Sequence, residues 1–366
     1  YQPSQEHEVQ KLLGDLNREP GEFRRHIRRF IASVMLTAAY GYRVTSVDDP
    51  FIEMIERTNK LILGPGLPGT TVVDHFPFLQ HIPTWLPGGH IRRHANLAHQ
   101  TAEEILNRPF KFVLEHRAAG DAIPSFASTL LSQYEQSEGN DPAQLKRIID
   151  VAGSLYRAGT DSTFTVILTF MLAMTLNPSA MKKAQAELDA VVGRDKLPTM
   201  ADRSSLPYVE CILKETLRWH PPFPMGISHR SLDEDELEGM RIPKGSIIMP
   251  NIWGMMHDED HFPDNQTFKP ERFGKGEGRI PELDPTLAIF GFGRRICPGR
   301  HFADATVWLT IASILHAFDI LPESKTEEKP VYAASRFYTG AISIPKPFKC
   351  RILPRINTSS MPSFEV

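Results

Sequence analysis

The sequence predicts a mainly α-helical protein with small β-sheets. Three observations carry this. Apolar residues in the first half recur at helical spacing. A long proline-free run follows Asp141. Strand signals are few, short and late.

The elements follow in order. Phe23, Ile27, Phe30, Ile31 and Val34 recur at three and four, the spacing of an amphipathic helix. Arg24, Arg25, Arg28 and Arg29 lie between them and read as a solvated face rather than a nucleic-acid patch. Proline, glycine and aromatic residues then cluster from Gly64 to Gly89, with an unusually apolar segment FPFLQHIPTWLP. Two readings of this loop stand side by side: a buried flap, or a surface that dips into a membrane interface or gates a pocket. A further helix is expected from about His90 to His116. Asp141 and Pro142 make a good N-cap and first-turn pair. The helix they open meets no proline until Pro178, which makes it about 50 Å long at 1.5 Å per residue. Shorter helices are expected around Ala180–Val192 and Tyr208–Trp219. A strand is expected at Ser246–Pro250 and a hairpin near Phe337–Ile344. Repeats and low-complexity linkers are not found, so residues 1–366 read as one domain.

Composition narrows the function classes. The chain is 41% hydrophobic and 23% charged, an ordinary globular balance. Its net charge of -3 gives no electrostatic reason to expect nucleic acid. Cys211, Cys297 and Cys350 are too few and too scattered for a disulfide framework. No charged-then-apolar secretory segment is read at the start. The longest apolar stretch, Val166 to Met174, is far short of the roughly 20 residues that span a bilayer, so no transmembrane helix is expected in the chain as given.

The chemistry concentrates at FGFGRRICPGRHF, Phe290 to Phe302. Gly291, Gly293 and Gly299 let the backbone turn tightly and approach something flat. An apolar helix is expected from Phe302 to Leu315, which puts Cys297 just before a helix N-terminus. Free amides and the positive end of the helix dipole stabilise a thiolate there. Arg295 adds positive charge that can pair with an anionic group. Such a thiolate could be a nucleophile, a zinc ligand or a haem ligand. Zinc wants about four ligands, and no second Cys or His sits at metal spacing. A nucleophile wants a nearby base, and His301 is expected to face along the next helix. A haem held by thiolate needs one cysteine, a close-approach loop and cations for its propionates, and the loop supplies all three.

FGFGRRICPG resembles the haem-binding signature of the cytochromes P-450, Phe-x-x-Gly-x-Arg-x-Cys-x-Gly, through Phe290, Gly293, Arg295, Cys297 and Gly299. Other stretches match in the family's order. KETLR carries Glu215 and Arg218, three apart on one helix face, and is similar to the family's Glu-x-x-Arg. PERF supplies Arg272, similar to the third member of its Glu-Arg-Arg cluster. AGTDST, Ala158 to Thr163, resembles the oxygen-activation stretch Ala-Gly-x-Asp/Glu-Thr. The resemblance implies that Gly159 leaves room for a diatomic ligand. It also implies that Asp161 and the next hydroxyl relay protons. Here that hydroxyl belongs to Ser162, with Thr163 following, whereas the usual partner is threonine. His229 falls where family members bond a haem propionate. Phe223, Met225, Thr339 and Ala341, with Ala158 and Gly159, fall where they line the substrate pocket.

What the resemblance implies is therefore a cytochrome P-450 fold lacking its N-terminal portion, with haem b on the Cys297 thiolate. The implied reaction is monooxygenation of a lipophilic substrate by dioxygen. Electrons would come from NADPH through a separate reductase, which Arg294, Arg295 and Arg300 would dock. The first sheet and the helix whose Trp and Arg cover the haem are expected to be missing, so the chain is expected to hold haem weakly. The style resembles membrane-bound fungal members, which implies the cytosolic face of the endoplasmic reticulum for the complete protein. Two rivals are a haem-thiolate isomerase or dehydratase that needs no reductase, and a catalytically silent fragment.

Overall fold

Asp141 accepts a hydrogen bond from the Ala143 amide at 2.9 Å, Pro142 fills the first turn, and the helix so capped runs to Leu176. The structure, a computed structural model, describes residues 1–64, 68–137, 141–274, 283–323 and 336–355. Its helices are α1 (Gln2–Arg18), α2 (Phe23–Tyr40), α3 (Pro50–Leu63), α4 (Val72–His75), α5 (His90–Ala119), α6 (Phe126–Gln136), α7 (Pro142–Leu176), α8 (Pro178–Val191) and α9 (Pro207–Trp219). Four short strands follow, β1 (His229–Arg230), β2 (Asp235–Leu237), β3 (Met240–Ile242) and β4 (Ile247–Ile248). Then come α10 (Ile252–Met256), α11 (Thr286–Ile289), α12 (Arg300–Ala317), β5 (Phe318–Pro322) and β6 (Cys350–Pro354). The expected mainly helical fold with small sheets is what forms.

The strands pair antiparallel, β1 with β4, β2 with β3, and β5 with β6 in the register Ile320 opposite Ile352. The strand expected at Ser246–Pro250 shortens to Ile247–Ile248. The expected C-terminal hairpin is a turn closed by Lys346 N→Arg336 O at 2.7 Å and Tyr338 N→Ile344 O at 2.9 Å, with one bridge, Phe337 to Pro345. The β5–β6 pair escaped the sequence reading because α12 runs straight into β5 at Phe318.

The core is organised around α7. From Thr163 to Thr175 every residue of α7 is buried, packed by α2, α5, α9, α12 and β5. By length and composition alone this helix could cross a membrane, but 83% of its most apolar window is buried inside the protein. That burial marks a core helix. α12 is likewise buried from Thr306 to Ala317. Such all-round burial explains the apolar runs that hid the helical period in the sequence.

Two expectations are corrected here. The arginines of α2 do not form a solvated face. Arg29 is 2% exposed and paired with Glu8 at 3.1 Å and Asp15 at 3.2 Å on α1. Arg28 pairs with Asp161 on α7 and with Glu56 on α3. Arg24 donates to the Pro345 carbonyl at 3.1 Å, and only Arg25 stands in solvent. The cause is that α2 is packed on more than one side, by α1, α6 and α7. The loop after α3 is no buried flap either: Phe76 is 54%, Phe78 66% and Trp85 80% exposed. Residues 65–67 of that loop lie outside the described residues.

Candidate functional site

The cysteine loop is built by two glycines and one short hydrogen bond. Gly291 and Gly293 take φ of 78° and 57°, a region that side chains disfavour. The chain between them and Cys297 forms a 3-10 turn, Gly293–Arg295. The Cys297 amide then returns to the Phe290 carbonyl at 2.7 Å and closes the loop. α12 starts at Arg300 with Gly299 as its cap, so the cysteine sits two residues before the helix cap. A side chain at Gly299 would place its Cβ 3.9 Å from the Cys297 sulfur. Cys297 is a free, half-buried thiol. The other two thiols are poorer ligands: burial pushes Cys211 up to about 11 and Cys350 up to about 12.

Behind the loop lies a fully buried ionic network. Arg218 grips Glu215 through two bonds, at 2.8 and 2.9 Å, and both side chains are 0% exposed. Arg272 reaches the same carboxylate at 3.1 Å, and the Lys269 amide donates to it at 2.7 Å. Arg218 also donates to the carbonyls of Met256 and Asn265, at 2.8 and 2.9 Å. Every charge is therefore met, which such burial requires. Met256 belongs to a small apolar cluster with Ile252, Phe262 and Ala288. Ala288 lies in α11, and its carbonyl receives the Gly291 amide at 2.9 Å, so the network is continuous with the cysteine loop. The Glu-x-x-Arg pair and Arg272 thus come together as the sequence reading expected.

The mid-helix motif is arranged differently from expectation at three points. Ser162 donates back to the Ala158 carbonyl at 2.8 Å, a bond open to a hydroxyl in mid-helix, and α7 stays α-helical throughout. Val151, Ser154 and Ala158 are exposed and Ser162 is half-buried, an open stripe at helical spacing along the middle of α7. Thr163 falls off this stripe and is buried. Gly159 does not open a pocket: a Cβ there would lie 2.3 Å from the Met35 methyl, so the glycine admits Met35 of α2. Asp161 turns to α2 and α3 rather than to Ser162. Its carboxylate is ion-paired with Arg28 and accepts from the Asn59 amide at 2.8 Å. Sequence reasoning missed both partners; a single arginine among four and one asparagine carry no local signal.

His229 is exposed on β1, opposite Ile248, and Arg295 is exposed on the 3-10 turn; among the described residues neither has a carboxylate partner. Phe223 and Met225 are half-buried in a turn closed by Gly226 N→Phe223 O at 3.0 Å. Thr339 is exposed and Ala341 half-buried in the C-terminal turn. The two turns are brought together, since the Ser343 amide donates to the Pro222 carbonyl at 2.9 Å. A free thiol at a helix start, a loop kept open by glycines and cations without internal carboxylates fit a thiolate-held haem.

Comparison with known proteins agrees. The family described as Cytochrome P450 matches residues 4–351. The chain is 41% identical over 359 residues to Cytochrome P450 monooxygenase 176 of Postia placenta, covering 97% of this chain and 68% of that protein. It is 42% identical over 350 residues to Cytochrome P450 monooxygenase 208 of the same fungus, with 96% and 67% covered. With Cytochrome P450 monooxygenase claR of Ampulloclitocybe clavipes it shares 40% over 356 residues, covering 97% of this chain and 65% of claR. The chain spans about two thirds of the length of these relatives. This chain belongs to the cytochrome P450 family, a family of haem-thiolate oxygenases.

Proposed function

We propose that the protein is a monooxygenase that inserts one atom of dioxygen into a lipophilic substrate, using electrons from NADPH through a separate reductase. The observation that carries this is Cys297: a free thiol, closed on Phe290 through its own amide, at the start of α12. When bound, haem b would supply dioxygen activation, which a thiolate ligand favours by donating electron density. The Cys297 sulfur would hold the iron. Arg295 and His229 would bind propionates, and Phe290, Gly293 and Gly299 would shape the approach. The Glu215–Arg218–Arg272 network would hold the loop in place.

The open stripe of α7 supports a substrate chamber floored by Ala158 and Ser162 and walled by Phe223, Met225, Thr339 and Ala341. Ser162 presents the hydroxyl, and Asp161 is the acid that would resupply its proton. Arg28 already touches Glu56 at 3.1 Å, so a shift of the guanidinium toward Glu56 would free Asp161 for that role. Exposed Arg294 and Arg295, with half-buried Arg300, support docking of an acidic reductase. Exposed Phe76, Phe78 and Trp85 support seating on the cytosolic face of the endoplasmic reticulum.

The test is the carbon-monoxide difference spectrum of the reduced protein and of Cys297→Ala. The expected result is a thiolate-type Soret band that the substitution abolishes; a band that survives it overturns the reading. Turnover measured with and without NADPH and reductase separates a monooxygenase from an isomerase or dehydratase.

A further inference from the structure

His220 and Ser343 are 123 residues apart in sequence and hydrogen-bonded at 2.7 Å, both buried, at 3% and 6% exposure. The Ser343 hydroxyl has one proton, and it donates this to the Tyr338 carbonyl at 3.0 Å. Nε2 of His220 is therefore the donor to Ser343 Oγ. The ring is fixed from both sides, stacked on Phe337 at 3.2 Å between centroids and edge-on to Trp253 at 5.1 Å.

The bond lies where two turns meet. Three residues after His220, the Phe223–Gly226 turn is held from behind. The Trp253 amide donates to the Pro224 carbonyl at 2.8 Å, and a Cβ at Gly226 would strike Pro250 at 2.5 Å. That turn has nowhere to retreat. Among the described residues, the Tyr338–Ser343 turn is tied to it by Ser343 N→Pro222 O at 2.9 Å, by the histidine–serine bond and by the Phe337 stack, with no ladder of strand bonds across the gap.

We propose that His220 and Ser343 form a clasp that fixes the spacing between the Phe223–Gly226 and Thr339–Ile342 turns, and so sets the width of the lipophilic substrate the pocket admits. His220 and Ser343 are positioning residues: they act through the walls and need not touch substrate. The inference rests on the reading that these turns line the pocket.

The test uses the haem-loaded protein and three azole probes of increasing width: imidazole, 4-phenylimidazole and clotrimazole. Affinities are read from the difference spectra. Ser343→Ala removes the bond; His220→Phe removes it while keeping a ring on Phe337; Ser343→Thr keeps the hydroxyl. The first two are expected to retain haem by pyridine haemochrome assay and to bind imidazole as before. Their ratio of clotrimazole to imidazole affinity is expected to shift about fivefold, equivalent to one buried hydrogen bond of about 1 kcal/mol. Ser343→Thr should stay near the parent, and Ser343→Ala combined with His220→Phe should add nothing, since either removes the same bond. An unchanged ratio in both single variants overturns the clasp, as does loss of haem in both, which would make the bond part of the fold. Phe223→Ala and Ala341→Phe separate the two failures. If they shift the ratio while the clasp variants do not, the clasp alone is wrong. If none shifts it, the pocket reading falls and the clasp with it.

Discussion

Arg28 on α2 is ion-paired with Asp161 on α7, and its guanidinium lies 3.6 Å from the centroid of the Phe164 ring. The acid of the AGTDST stretch is thus paired with a cation from another helix. Arg28→Ala would leave a carboxylate that is 10% exposed with Asn59 as its remaining close partner. The expected loss is about 3 kcal/mol of folding stability, read from urea midpoints. Asp161→Asn in the Arg28→Ala background should recover part of it, because the uncompensated charge is gone.

Arg218→Ala should abolish haem incorporation rather than slow turnover. It leaves Glu215, at 0% exposure, with Arg272 as its one remaining cation among the described residues and removes the bonds to the Met256 and Asn265 carbonyls. A cost on the order of 3–5 kcal/mol follows from breaking such a pair. Arg218→Lys should fail as well, since a single ammonium cannot reach all three partners. Haem per polypeptide measures both; full haem content in either variant removes Arg218 from this role.

Gly159→Ala tests whether that glycine serves packing. The new Cβ would fall 2.3 Å from the Met35 methyl and 2.7 Å from its sulfur. Overpacking of about 1–3 kcal/mol is expected to outweigh the helix-propensity gain of about 1 kcal/mol. Met35→Ala in the same chain should reverse the sign and leave Gly159→Ala stabilising. Thermal melting of the four variants decides.

Acid should weaken the fold through two imidazoles, buried His220 and half-buried His257. Burial, then neighbouring His257, pushes His220 down to about 3; burial, then Arg218, pushes His257 down to about 4. The groups facing them are Ser343, Phe337, Trp253 and Arg218. Both histidines are neutral when folded, while unfolded histidine titrates near 6.5. Their contribution is full above about pH 6.5 and is lost as pH falls toward 4 and 3, because the unfolded chain then binds protons the folded one refuses. Urea midpoints from pH 7 to 4 should fall, and His257→Gln should flatten the slope by up to one proton. An unchanged slope would refute the assignment.

Trp85→Ser and Phe78→Ser should weaken attachment to a bilayer. Both rings stand in solvent, at 80% and 66% exposure. Each buries enough apolar surface on a membrane to matter by about 1.4 kcal/mol, so partition onto phosphatidylcholine vesicles should drop roughly tenfold per substitution. Flotation of the parent and both variants measures it.

Some of this was legible in sequence because the signal is local. Asp141 with Pro142, and Glu215 three residues from Arg218, encode a cap and a helix face within a few positions. Cys297 among its glycines encodes a tight loop just before a helix. Other features were hidden because the partner is remote. Arg28 and Arg29 sit in the same run of arginines as Arg25, and only the packing of α1, α3 and α7 separates buried ion pairs from a solvated charge. Gly159 reads as space for a ligand until Met35 is seen to occupy that space. The clasp between His220 and Ser343 has no sequence trace at all, being set by how the C-terminal turn docks.

The buried pair of Glu215 and Arg218 collects its partners in an order fixed by protein synthesis. Arg218 emerges from the ribosome three residues behind Glu215, but the Met256 and Asn265 carbonyls that accept from Arg218, and the Lys269 amide and Arg272 that donate to Glu215, come some 38 to 57 residues later. Until residue 272 is made, α9 carries a charge pair that cannot leave water without penalty. Only after that point can the Cys297 segment, still to be synthesised, find a finished surface to close against, so uptake of the prosthetic group belongs to the last stage of biogenesis.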